Sequence, residues 1–154
     1  LILYSILFGS TTYQSFFAGI VAFKTLPYHN FGALQAKIFP PYFSLQAIAS
    51  AVLLLTKPIA FTGQAANISL GISALGGLIN LVVFTPMTRQ IMELRKKQEG
   101  IDGKLCRDPD PSPEMAALNS KFRKIHGASV LLNTAAFLSL AFYGVVLTDG
   151  FLSV

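Results

Sequence analysis

The chain has 154 residues, of which 53% are hydrophobic and only 12% charged, with a formal net charge of +5 and a mean hydropathy of +0.57. A soluble domain carries about a quarter charged residues, so this composition excludes an ordinary water-borne globule and points to lipid as the solvent. The length suits a single helical unit over 1–154 and leaves no room for a second domain.

A spanning helix needs ~20 mostly apolar residues, and four windows meet that need. The first runs from Leu1 to about Phe23. It is about twice as long as the apolar core of a secretory signal, so a membrane helix is expected there, not a cleaved leader. The chain opens on Leu1, not Met, and the expectation is a missing initiator and short leader or a trimmed longer chain. Leu26-Pro27 then breaks the chain. Phe31, Leu34 and Ile38 fall on one helical face with Asn30 as a possible cap, which predicts a short interfacial helix. Pro40 and Pro41 open the second window, which ends near Thr56, because proline is tolerated in a first helical turn. The third window runs from about Asn67 to Thr85 and the fourth from about Ala128 to Thr148.

Between the third and fourth windows lies a polar segment, about 86–127, with its own pattern. Thr85-Pro86 looks like a cap and first-turn proline. Met87, Ile91 and Leu94 recur at helical spacing, and Gly100 is a plausible stop. Ser112-Pro113-Glu114 restarts a helix, with Met115, Leu118, Phe122 and Ile125 as a second apolar stripe. The expected arrangement is an antiparallel hairpin, stripe on stripe, because both stripes continue spanning helices and cannot easily bend flat. The alternative lays the stripes in the membrane interface, with Gly127 as the flexible point and Lys121, Arg123 and Lys124 on anionic headgroups.

Eleven of the twelve Lys and Arg residues fall on the side of this segment, and only Lys57 falls opposite. The positive-inside rule then places the segment in the cytosol and both termini on the other side. The fold class is therefore read as all-α, an integral membrane four-helix bundle with a cytosolic amphipathic hairpin between helices three and four.

No helix centre carries an ionised group, but four amides are present instead, one in each helix interior: Gln14, Gln46, Asn80 and Asn133. Counted from the basic end at ~1.5 Å per residue, they lie at depths of about 8 to 13 Å. A shared polar layer can be interhelical glue or the lining of a cavity open to the cytosol that takes a headgroup or small polar solute. Ser69, Ser73 and Gly77, at intervals of four, allow a close helix approach within the bundle or along a dimer seam.

Cys106 is the single cysteine, so an intramolecular disulfide is excluded and a free thiol is expected. His29 and His126 lack zinc-type ligand spacing. His126, at a membrane boundary, suits a headgroup or helix-capping contact. No phosphate loop, metalloprotease motif, nucleophile elbow or carboxylate pair appears. Neither catalytic, cofactor nor metal residues are expected. The basic face suits an anionic leaflet better than nucleic acid.

One stretch carries a family resemblance: Leu26, Pro27, His29, Phe31, Gly32, Gln35, Lys37, Phe39, Pro40, Tyr42 and Phe43. It resembles the first-loop motif of the transmembrane protein 205 family. Asn80, Pro86 and Thr88 match that family's third-helix exit, and Ala117, Leu118, Phe122, His126, Gly127 and Asn133 match its entry to the fourth helix. The middle of the basic segment is shorter than in animal members, so a fungal or other distant member fits. The resemblance implies a four-helix protein of organelle or cell membranes with no established catalysis. An organelle membrane (mitochondrial outer, endoplasmic reticulum or endosomal) is expected over the plasma membrane. The expected function is assembly, organisation or tethering, with membrane lipids and other membrane proteins as partners. The alternative is lipid or small-solute binding through the amide layer, with Asn80, Asn133 and His126 at its centre.

Overall fold

A computed structural model describes residues 1–57 and 63–152. Among these residues the chain is four long helices. α1 is Ile2–Thr25, α2 is Tyr28–Thr56, α3 is Gln64–Asp102 and α4 is Pro113–Leu152. Each contains a stretch long and apolar enough to cross a bilayer. This is an all-α membrane bundle. α3 packs on α2 and α4, while α1 lies against α2 and α4.

The expected boundaries need correction at three places, each for a local physical reason. The interfacial helix and the second window are one helix. α2 starts at Tyr28, not at an Asn30 cap, and runs straight through Pro40 and Pro41. Proline removes the N–H that would bond the carbonyl four residues back. Pro40 thus frees the Ala36 carbonyl, and Arg89 of α3 donates to it at 2.9 Å. Proline inside a spanning helix persists where a neighbour re-satisfies the freed group in this way.

The second correction is at Thr85-Pro86, where no helix begins. α3 crosses the site in a widened, π-helical turn over Asn80–Phe84. Thr85 donates its hydroxyl to the Asn80 carbonyl at 2.8 Å. The third is the end of α3. It continues past Gly100 to Asp102 and stops at Gly103, which takes the left-handed conformation at φ 62°. That conformation suits a residue without Cβ. Likewise α4 does not turn at Gly127 but passes it unbroken. Its start is as expected: Ser112 Oγ accepts the Met115 N–H at 3.1 Å and donates to Asp102 Oδ2 at 2.7 Å, closing the hairpin loop.

At ~1.5 Å per residue, α3 with 39 residues and α4 with 40 are about 58 and 60 Å long, near twice the ~30 Å hydrocarbon thickness. Their polar halves therefore stand outside the membrane as the expected hairpin. The start of α2 packs beside it: Gly32 faces Met92 so closely that a Cβ there would come within 2.7 Å of Met92 Cε.

Inside the span the outer surface is apolar, with Phe16, Ile48, Leu75, Val82, Leu131 and Leu138 all facing outward. At the termini end, Leu7, Leu53, Leu70, Leu140 and Tyr143 form an apolar core. Ser69, Ser73 and Gly77 are buried within the bundle. A Cβ on Gly77 would sit 2.8 Å from the Ala47 nitrogen and 3.0 Å from the Phe43 carbonyl of α2. Four residues away, Ser50 donates to Ser73 at 2.7 Å.

Candidate functional site

Polar side chains gather at two levels. The lower one is the amide layer, and each amide finds a different kind of partner. Asn133 of α4 accepts from the Tyr42 hydroxyl at 2.8 Å and donates to Ser15 of α1 at 3.2 Å, tying three helices. Asn80 of α3 accepts from Ser129 of α4 at 2.6 Å. Gln14 of α1 approaches Gln35 of α2 at a long 3.5 Å. Gln46 is fully buried, yet neither of its amide atoms meets a protein partner among the described residues, and the same holds for Asn80 Nδ2. Gln14 and Ser15 are neighbours, Tyr42 and Gln46 are one turn apart, and so are Ser129 and Asn133. The layer is thus continuous across the bundle, although its bonds run from amide to hydroxyl more than from amide to amide. Two π-helical turns, Gln14–Ala18 and Asn80–Phe84, begin at amides of this layer.

His126 does not join that layer. Its ring stacks on Phe122 at 5.4 Å and 7°, which places it with the hairpin. The first-loop motif also lies mostly in the extramembrane part. Pro27 precedes α2, His29 sits 3.6 Å from Glu99 of α3, and Phe31 packs edge-on against Phe23. Gly32 and Gln35 make the contacts described above, and Lys37 and Pro40 flank the carbonyl held by Arg89. Of this motif, Gln35 and Tyr42 reach the amide layer, at Gln14 and Asn133. Lys121, Arg123 and Lys124 are all exposed on α4.

The upper level is a network that the apolar pattern alone did not reveal. Ile91 and Met115 are buried as the stripes require, but Leu94 is 39% exposed while Arg95 is only 8% exposed. The inner face of α3 runs from Ile91 to Arg95, one residue off the expected stripe. Arg95 Nε donates to Asn119 Oδ1 at 2.9 Å, and its guanidinium lies 4.4 Å over the Phe122 ring. A desolvated cation–ring contact contributes up to ~2 kcal/mol. Asn119 Nδ2 donates to the Cys106 carbonyl at 2.7 Å, and the Cys106 N–H donates to Glu99 at 2.8 Å. The Cys106 thiol donates to the Tyr28 hydroxyl at 3.2 Å. Burial, with the Cys106 contact behind it, pushes the Tyr28 phenol up to about 12, and burial also raises the Cys106 thiol. Both stay protonated at neutral pH. Tyr28, Arg95, Cys106, Asn119 and Phe122 border a recess of about 390 Å³ between the hairpin and the start of α2. A hint was present in the sequence: Arg95 stands four residues after Ile91, on its face.

Residues 2–97, nearly two thirds of the chain, match the family model described as Domain of unknown function (DUF4149). The chain belongs to the DUF4149 family. The match covers α1, α2 and most of α3 of this DUF4149 chain, with Arg89 and Arg95 inside it. The chain is also similar to xanthocillin biosynthesis cluster protein D of Aspergillus fumigatus, 26% identical over 158 residues, which cover 99% of this chain and 89% of that protein. No solved structure matches.

Proposed function

We propose that this DUF4149 protein is a non-enzymatic membrane component that assembles, organises or tethers other proteins at the surface of an intracellular organelle, with its hairpin in the cytosol. One observation carries the reading. The hairpin is an unbroken continuation of two spanning helices, clasped to α2 by the bonds from Arg89 to Ala36 and from Cys106 to Tyr28. A platform so fixed presents Lys96, Lys97, Lys104, Lys121 and Lys124 outward at a constant angle to the membrane. The resemblance to the transmembrane protein 205 family supports it, and so does the name of the Aspergillus relative, which ties that protein to a biosynthesis cluster. An accessory membrane protein fits such a setting.

The test is a photo-crosslinking residue at Lys96 or Lys124 in native membranes. Discrete protein adducts are expected, and they should fade when the remaining outward lysines are changed to glutamate. A chain that yields no adduct and elutes as a bare monomer from mild detergent would overturn the proposal.

A second reading, binding of a small polar solute in the amide layer, is favoured by the buried amide of Gln46 and by Asn80 Nδ2, which the described residues leave unanswered. Asn80→Leu separates the two. Interhelical glue predicts a modest loss of folding with partner adducts falling in step, whereas a solute site predicts lost binding in a chain that still folds.

A further inference from the structure

We infer that the recess between the hairpin and the start of α2 binds an anion of the phosphate-monoester class, with Arg95 as its anchor. A buried guanidinium costs several kcal/mol unless a counter-charge answers it. Arg95 is 8% exposed, and among the described residues no carboxylate oxygen lies within 4.0 Å of it. Its Nε is taken by Asn119 and one face by Phe122. The Tyr28 hydroxyl is also a side-chain hydrogen-bond partner of Arg95, but it carries no charge at neutral pH. The charge of Glu99, one helical turn along, acts on Arg95 without a direct ion pair. That carboxylate is already committed, one oxygen to the Cys106 N–H at 2.8 Å and the other toward His29 at 3.6 Å.

The rest of the lining has the same bias. Arg107, held 5.3 Å over the Tyr28 ring, and Arg123 join Arg95 around the recess. The single acid there is Asp108, and its Oδ2 accepts the Leu105 N–H at 2.8 Å. With Glu99 acting on Arg95 from beside the lining, three guanidinium groups stand against two carboxylates and one positive charge is left over. Guanidinium forks match a phosphate's oxygens two at a time. Position narrows the class further. Arg95 is six residues past Arg89, the first cation beyond the span, and so about 9 Å farther from the membrane. A diester buried among lipid headgroups lies below that level. A terminal phosphate reaches it, either free in solution or raised on a sugar headgroup. The site stands apart from the tethering proposal, since crosslinked partners can be lost with anion binding intact, and the reverse.

The full-length chain in mild detergent is titrated with inorganic pyrophosphate by calorimetry. It is separately mixed with a phosphatidylinositol monophosphate, and with phosphatidylserine for comparison, and bound lipid is counted by native mass spectrometry. Arg107→Gln with Arg123→Gln removes two exposed rim charges; it leaves the bonds among Arg95, Asn119, Cys106 and Glu99 in place and gives up only the Arg107 contact over the Tyr28 ring. Lys96→Gln with Lys97→Gln removes the same charge from the outer face. The rim pair should weaken binding about tenfold, the scale of a lost charge-assisted bond, while the outer pair leaves it unchanged. Binding of pyrophosphate identifies a free ligand, and binding of the inositol lipid above phosphatidylserine identifies a headgroup; either supports the site. Equal losses from both pairs, or no binding of either probe to the unaltered chain, would overturn it.

Discussion

The two halves of this molecule are held shut by opposite means. Within the span, α2, α3 and α4 touch through glycine, serine and neutral amides, at Gly77 against Ala47, Ser50 with Ser73, and Tyr42 with Asn133. In the hairpin, closure depends on Ile91 and Met115 and on a charged, aromatic network around Arg95. The solvent explains the contrast. Lipid tails offer no hydrophobic drive between helices, so close backbone approach and neutral hydrogen bonds must do the joining. Water supplies that drive to the hairpin, and Arg95, buried there, is held by Asn119 and the Phe122 ring of the facing helix.

The contrast breaks most easily at Gly77. Gly77→Val would push a side chain into the α2 backbone, and overpacking of this kind costs about 3 kcal/mol or more. Loss of the folded, detergent-extractable bundle is expected, seen by unfolding in a denaturing detergent. Hairpin opening should be separable from that. Ile91→Ala removes a buried side chain and should cost about 2 kcal/mol, with the spans left intact. Its readout is Cys106. Burial raises the thiol above its ordinary value, so its thiolate fraction, and with it the maleimide labelling rate, is low at neutral pH and climbs with pH toward the raised value. Opening the hairpin returns the thiol toward its ordinary range, and the labelling curve should move to lower pH. An unchanged curve would mean that Ile91 does not hold the hairpin closed.

Smaller effects sharpen the picture of the amide layer. Asn133→Leu severs bonds to α1 and α2 and should lower stability by about 1 kcal/mol, at ~0.6 per interhelical bond. Gln46→Leu, at an amide with no partner among the described residues, should leave stability unchanged or raise it, because an unpaired buried polar group is a burden. Denaturation midpoints of the pair would compare them directly. The smallest change is a gain. Gly127 is helical with open space around its missing Cβ, so Gly127→Ala should stabilise by about 0.5 to 1 kcal/mol.

How much of this the sequence disclosed follows the same division. The four spans and the hairpin were legible, because hydropathy and apolar periodicity are local properties. The amide layer was legible too, since a polar residue stands out in an apolar run. Arg95 was not, because an arginine on an amphipathic helix ordinarily faces water, and its inward place depends on Asn119 and Phe122 from another helix. The unbroken course of α2 was hidden for the same reason. Pro40 alone argues for a helix start, and only Arg89, 49 positions away, makes the interior position tolerable.

Those uninterrupted rods have a mechanical consequence. A helix that leaves the bilayer without a joint behaves as a lever: a sideways push at the loop near Gly103 becomes a tilt of the whole shaft within the lipid. The bond from Arg89 to Ala36 sits close to the fulcrum, so strain arriving from the tip passes to α2 at its weakest turn, the one beside two prolines. A load placed on the hairpin would tilt both shafts within the lipid, and a change in bilayer thickness would move the tip.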